Sequence, residues 1–149
     1  MPEPNVKVIY KKSAKDALKL RRIELYKAEL EKLNCLYKGR KFTLHCDRYA
    51  AFDNLAIHIF EPGEGPYASL TTNIEELPSD QFALDVNNFP DAEFFCIQNG
   101  FAIPTKRLLT SGYCIYPVYQ LTNDFIENAN NIIKEENNNG SKEDNKENK

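Results

Sequence analysis

Nowhere in the 149 residues does an apolar run approach the roughly 18 side chains that a bilayer-spanning helix requires. The opening Met1-Pro2-Glu3-Pro4 lacks the apolar segment of a secretory signal, so a cytoplasmic protein with no membrane partner is expected. Cysteine is sparse. Cys35, Cys46, Cys96 and Cys114 stand at wide, irregular intervals that match neither a disulfide framework nor the paired spacing of zinc ligands. They are expected to be reduced and to act as small buried hydrophobes. The loop Gly63-Glu64-Gly65 carries acid where a phosphate cradle needs backbone N–H groups and lysine, and it lacks the Gly-Lys-Ser/Thr ending, which disfavours nucleotide binding.

Apolar residues make up 42% of the chain and aromatics 11%, enough large side chain for a modest core, and no internal break calls for a second one. The formal net charge of −3 conceals an asymmetry. Residues 1–36 hold nine Lys/Arg against five Asp/Glu, residues 37–121 six against ten, and residues 122–149 four against seven. Because partners respond to local charge, a basic arm on an acidic body can engage an anion through the arm alone. The expected division is a basic helical arm over 1–36, an α+β domain over 37–134, and a polar tail over 135–149. Beyond Glu135 the tail has no hydrophobic group to offset its ordering entropy and is expected to be disordered.

Ser13 is a helix N-cap, with Asp16 three residues on as a shortened capping-box acid, and the helix is expected to run to about Asn34. Ile23, Tyr26, Leu30 and Leu33 form one apolar seam, continued by Tyr37. Two readings stand: docking on the chain's own domain, or a short coiled-coil dimer. Lys11, Lys15, Lys19 and Arg22 form a basic stripe that either faces water or binds nucleic acid, although Glu24, Glu29 and Glu31 dilute it and no aromatics interleave.

From Gly39 the apolar period becomes two. Phe42, Leu44 and Cys46 oppose Thr43, His45 and Asp47, and a second strand follows over Leu55 to Phe60. The turn residues of 61–66 lead to a third strand over Tyr67 to Ile74 and a short fourth over Gln81 to Val86. The connections are too short for crossover helices, so one mostly antiparallel sheet packed with helices is expected. A helix over about Asp91 to Gln98, opened after Pro90 and closed at Asn99-Gly100, would pack Phe94, Phe95 and Ile97 on the sheet. Ile103 to Leu109 is ambiguous. Tyr113 to Leu121 reads as a strand that Pro117 restricts to a sheet edge, and a last helix begins after Asn123-Asp124 with Phe125, Ile126, Ile132 and Ile133 as its apolar positions.

Order and wording resemble one family. Asp53-Asn54-Leu55-Ala56-Ile57, Gly65-Pro66-Tyr67-Ala68-Ser69-Leu70-Thr71-Thr72-Asn73-Ile74 and Asp85-Val86-Asn87-Asn88-Phe89-Pro90-Asp91-Ala92-Glu93 are followed by Asn99-Gly100-Phe101, Pro104-Thr105 and Ser111-Gly112-Tyr113-Cys114-Ile115-Tyr116-Pro117-Val118-Tyr119. Over about 37–121 the chain thereby resembles domain of unknown function 4313, a family of small bacterial proteins of mobile elements. The resemblance implies a plasmid, transposon or phage setting, where such proteins serve transfer, regulation or evasion of host defences. It supplies no catalytic residue, and the basic helix and Asn-rich tail lie outside its pattern.

An enzyme needs a nucleophile with a base, paired carboxylates or a metal cluster within reach. His45 and His58 on neighbouring strands can share a face with Asp47, as part of a metal or acid-base site or as ordinary cross-strand pairs; register decides. Cys114 beside a glycine turn has no nucleophile signature. The oxygens of Asp85, Asn87, Asn88, Asp91 and Glu93 gather around a turn, where they either attract a divalent ion or shape their own backbone. No catalytic residue, metal or cofactor is therefore assigned. Tyr113, Tyr116 and Tyr119 offer large area at small entropic cost and form either a recognition surface or sheet packing. A non-enzymatic module that binds another protein through these tyrosines is expected, with nucleic-acid binding through Lys11, Lys15, Lys19 and Arg22 as the alternative.

Overall fold

The computed structural model describes residues 13–147, with side chains through Asn139. Its order is α1 (Ala14–Leu30), β1 (Cys35–Tyr37), β2 (Arg40–Arg48), β3 (Leu55–Glu61), β4 (Gly65–Ser69), β5 (Thr71–Thr72), β6 (Gln81–Leu84), α2 (Ala92–Asn99), β7 (Ala102–Ser111), β8 (Cys114–Leu121) and α3 (Asn123–Glu147). The fold is α+β: the described residues form two four-stranded antiparallel sheets, ordered β1-β2-β3-β4 and β5-β6-β8-β7, with three helices. Among the described residues no helix is long and apolar enough to cross a membrane.

Helix α1 starts where its cap dictates, with the Asp16 amide donating to Ser13 Oγ at 3.1 Å. It stops at Leu30, short of the expected Asn34. The amides of Glu31 and Lys32 tighten onto the carbonyls of Lys27 and Glu29, and Glu31 Oε1 accepts from the Cys46 amide, so the chain turns early and delivers Cys35 and Tyr37 to β1 as buried residues. Ile23, Tyr26 and Leu30 are buried in the same core as the sheets, with Leu33 packed against it, so the seam docks on its own domain. Burial of each such side chain contributes about 1.5–3 kcal/mol.

The first sheet follows the alternation read from sequence. Phe42, Leu44 and Cys46 on β2 and Leu55, Ile57 and Ile59 on β3 all face inward. Its first hairpin turns through Lys38 (φ 51°) and Gly39 (φ 72°), the pair of left-handed residues that a two-residue turn of matching twist requires.

The single sheet and the single strand over Tyr67 to Ile74 are both corrected. At Leu70 the amide donates to the Ile57 carbonyl of the first sheet at 2.9 Å, while the Leu70 carbonyl accepts from Asp85 beyond β6 at 2.9 Å. That one residue passes the chain from the first sheet to the second. Thr71, buried beside it, accepts from the Ile57 amide at 3.0 Å and bonds the Tyr49 hydroxyl at 2.9 Å. Pro117 is corrected too: it lies on the interior strand β8, not at an edge. Toward β6 the pairing covers only Gln81↔Gln120 to Ala83↔Val118, so Pro117 lies just past the paired stretch and its missing N–H costs no bond to β6.

Helix α2 ends at Gly100, whose φ of 70° closes it in the left-handed conformation. Ala92, Phe95 and Cys96 face inward, at the three and four residue steps of a helix, which turns Phe94 and Ile97 outward at 57% exposure each and corrects their expected packing. Tyr37, Phe89, Phe95 and Phe101 meet edge to face in a chain of rings, at 5.5 to 6.1 Å between neighbouring centroids. Helix α3 buries Ala129 and Ile133 with Phe125, Ile126 and Ile132 packed alongside. After Ile133 no apolar residue follows; the polar stretch continues α3, with residues 134–139 exposed and Glu136 paired with Arg21.

Candidate functional site

The second sheet ends in a long hairpin. Strands β7 and β8 pair from Ala102↔Leu121 to Ser111↔Cys114 around Gly112 (φ 62°) and Tyr113, with glycine at the first central position of a two-residue turn. Pairing is interrupted between Pro104 and Leu108. There Lys106 takes φ 72°, Thr105 Oγ1 donates to the Val118 carbonyl at 2.8 Å, and the Arg107 amide donates back to Thr105 Oγ1 at 3.1 Å. The bulge bends β7, which among the described residues is the outer strand of its sheet, with one row of backbone groups that no strand pairs.

Register sorts the side chains. Leu108 pairs with Pro117 and Thr110 with Ile115, so Leu108 and Ile115 are diagonal neighbours on one face. They are 60% and 56% exposed, and Tyr113 at the turn is fully exposed. Leu109 and Tyr116 pair on the opposite face, where Tyr116 packs against a small cluster of Leu77, Ala83, Leu109 and Val118. Tyr119 returns to the first face but lies where the main core begins, 2% exposed, with its hydroxyl donating to Glu93 Oε1 at 2.9 Å. Burial first, then the Glu93 carboxylate, raises its phenol. The three tyrosines therefore share no surface. Of the exposed apolar residues on this hairpin, Leu108 and Ile115 lie together beyond the bulge toward Tyr113, while Ile103, 50% exposed, pairs with Gln120 before it, on the face opposite Tyr119. Sequence reading missed Leu108 because the bulge breaks the alternation of 103–109, and Ile115 because its face follows from pairing with β7; the Ser111-Gly112 turn between two β-rich runs was the signal available.

The basic stripe is divided. Lys11 lies outside the described residues, Lys15 is exposed, and Lys19 Nζ donates to the Phe52 carbonyl at 3.0 Å and to Glu76 at 3.2 Å. Arg22 is half-buried between α1 and its neighbours.

His45 and His58 are direct cross-strand partners, and Asp47 shares their outward face. With Phe60 and Tyr67 they line a shallow groove of about 510 Å³. His45 stacks on Phe60 with centroids 3.8 Å apart and 14° between the planes. Among the described residues no group of three or more His, Cys, Asp or Glu is placed to hold a metal. Asp85 uses its carboxylate locally, accepting from the Asn88 amide at 3.3 Å and from Asn88 Nδ2 at 2.9 Å, while Asp91 and Glu93 accept from Tyr37 and Tyr119. The acid cluster thus spends its oxygens on its own turn and on two tyrosines. All four cysteines are free. Burial pushes the Cys35 thiol up to about 11 and the Cys46 thiol up to about 12, and raises Cys96 as well, so none of these three is a ready thiolate.

The family model described as Domain of unknown function (DUF4313) matches residues 43–139. No curated protein and no solved structure matches. The matched span leaves α1 and β1 outside but reaches past the resemblance read over 37–121 to take in the apolar part of α3 and the first residues of the tail. The chain belongs to the DUF4313 family.

Proposed function

We propose that the chain is a non-enzymatic protein-binding module of the cytoplasm whose contact surface is the β7–β8 hairpin. One observation carries this reading: a ten-residue outer strand with Leu108, Ile115 and Tyr113 exposed together along its hairpin. An unpaired strand edge offers a partner main-chain hydrogen bonds, and apolar side chains beside it supply the area that aligns and anchors the added segment. Tyr113 adds a large ring with few rotatable bonds at the tip. In the mobile-element setting that the family resemblance implies, a partner from the host's defence machinery fits this use. The alternative of nucleic-acid binding through α1 has less support, since Lys19 is bound to Glu76 and Arg21 to Glu136 and Glu24.

The test compares affinity purification of the tagged chain and of a Leu108→Lys, Ile115→Lys variant from the source cells. Both substitutions are at exposed positions, so the urea midpoint should move by no more than about 0.5 kcal/mol equivalent. The reading predicts a specific protein retained by the native chain and lost by the variant. Equal recovery by both overturns it.

A further inference from the structure

Pro104 and the bulge at 105–107 interrupt β7, so its regular distal stretch is Leu108 to Ser111. A two-residue turn makes Ser111↔Cys114 a hydrogen-bonded pair, and bonded and non-bonded pairs alternate away from it. Ser111 and Leu109 therefore spend their backbone groups on β8, while the N–H and C=O of Leu108 and Thr110 are directed away from it. Pro117, which has no N–H to give, accordingly faces Leu108 in a non-bonded pair. Among the described residues nothing else bonds the backbone of Leu108 or Thr110. Leu108, Thr110 and Ile115 are exposed on one face beside this open row.

Charge singles out the same stretch. Residues 37–101 hold four Lys/Arg against ten Asp/Glu, whereas the hairpin over 102–121 holds Lys106 and Arg107 and no carboxylate. Both cations immediately precede the open row. Lys106 is exposed and meets no carboxylate among the described residues. Arg107 meets Glu75 at 3.3 Å with both side chains about half exposed, and such a surface pair exchanges readily. A second copy of this chain would bring further cations to the edge, and its hairpin supplies no acid to meet them.

We propose that the partner supplies an extended acidic segment, added as a new strand beside β7 at residues 108–111. Its main chain bonds the free groups of Leu108 and Thr110, apolar side chains at alternate positions cover Leu108 and Ile115, and a carboxylate meets Lys106. This rests on the hairpin being the contact surface and adds the chemistry of what it contacts.

A phage-displayed library of short random peptides is selected against the full chain, and the enriched peptides are synthesised and titrated into the chain labelled with nitrogen-15. The expected peptides carry Asp or Glu with apolar or β-branched residues at alternate positions. Their binding should move the Leu108 and Thr110 amides downfield and protect them from hydrogen exchange. Lys106→Glu should weaken them about fivefold, the upper worth of an exposed charge pair, and exchanging the peptide's acid for lysine should restore that loss. Lys38→Glu, at another exposed lysine of positive φ (51°), should change nothing. N-methylation of alternate peptide residues should abolish binding in one register and spare it in the other, because only one set of peptide N–H groups faces β7. No enrichment, peptides without an excess of acid, affinity indifferent to Lys106→Glu, or equal loss in both N-methyl registers overturns the acidic strand, while a protein crosslinked through the hairpin would still stand. Enriched peptides that move no hairpin amide, or that bind the Leu108→Lys, Ile115→Lys variant unchanged, overturn both the acidic strand and the hairpin surface. A chain that sediments as a dimer until those two substitutions disperse it assigns the edge to a second copy and overturns the acidic partner.

Discussion

Replacing Asn54 with Ala should unfasten the segment that follows β5. The Asn54 side chain is 4% exposed and makes three hydrogen bonds to that segment. Its Nδ2 donates to Asn73 Oδ1 at 2.9 Å and to the Glu75 carbonyl at 2.7 Å, and its Oδ1 accepts from the Leu77 amide at 3.1 Å. The Leu77 bond is buried, so its loss strands an amide at a cost of about 1–3 kcal/mol, and the two part-buried bonds contribute about 0.5–1.5 kcal/mol each. Water entering the small gap recovers some of this. A net loss of about 2–4 kcal/mol follows, equivalent to roughly 4–16 °C in Tm for a domain of this size. Urea denaturation followed by circular dichroism measures it as a lower midpoint at unchanged slope. Asn54→Asp keeps the acceptor for Leu77, loses both donated bonds and adds a buried charge, so it too should destabilise. A loss below about 0.5 kcal/mol for Asn54→Ala would refute the assignment of Asn54 as the buckle of this loop.

Leu30→Ala should cost about 2–5 kcal/mol by the same measurement, because Leu30 is fully buried in the main core; a value near zero would mean that α1 does not dock. The Tyr37 phenol, held up to about 12 by its hydrogen bond to Asp91 and then by burial, contributes stability that is fully present below the unfolded value of about 10 and is lost as pH climbs toward 12. Tyr37→Phe should flatten that part of the alkaline stability profile, and an unchanged slope would remove Tyr37 as its source. Among the thiols, Cys114 is the one not buried, so a disulfide reagent on the native chain should label it first and reach Cys35, Cys46 and Cys96 only on unfolding; simultaneous labelling of all four would contradict their burial.

Local features were legible from sequence wherever a short stretch determines its own geometry. The Ser13 cap, the alternation of Phe42, Leu44 and Cys46, and the Gly100 stop of α2 each depend on a few neighbouring residues, and each stands where it was read. What failed depended on pairing between distant segments. Tyr67 to Ile74 looks like one β-rich strand, yet Leu70 bonds Ile57 on one side and Asp85 on the other, and only that arrangement divides the run between two sheets. Pro117 looks like an edge marker until the pairing of β6 with β8 is seen to stop at Ala83↔Val118. The candidate contact surface was half legible: Tyr113 lies where its turn puts it, but the faces of Tyr116 and Tyr119 follow from a register set across the Thr105–Arg107 bulge. His45 and His58 show the converse, since register alone placed them opposite each other.

Photo-crosslinking in the source cells tests the hairpin surface most directly. A benzoylphenylalanine replaces Tyr113 at the hairpin tip, and in a parallel chain it replaces Lys38 on the β1–β2 turn. The account predicts a discrete protein adduct from position 113, abolished by Leu108→Lys with Ile115→Lys, and no such adduct from position 38. No protein adduct at 113, or the same adducts from both positions, would contradict it.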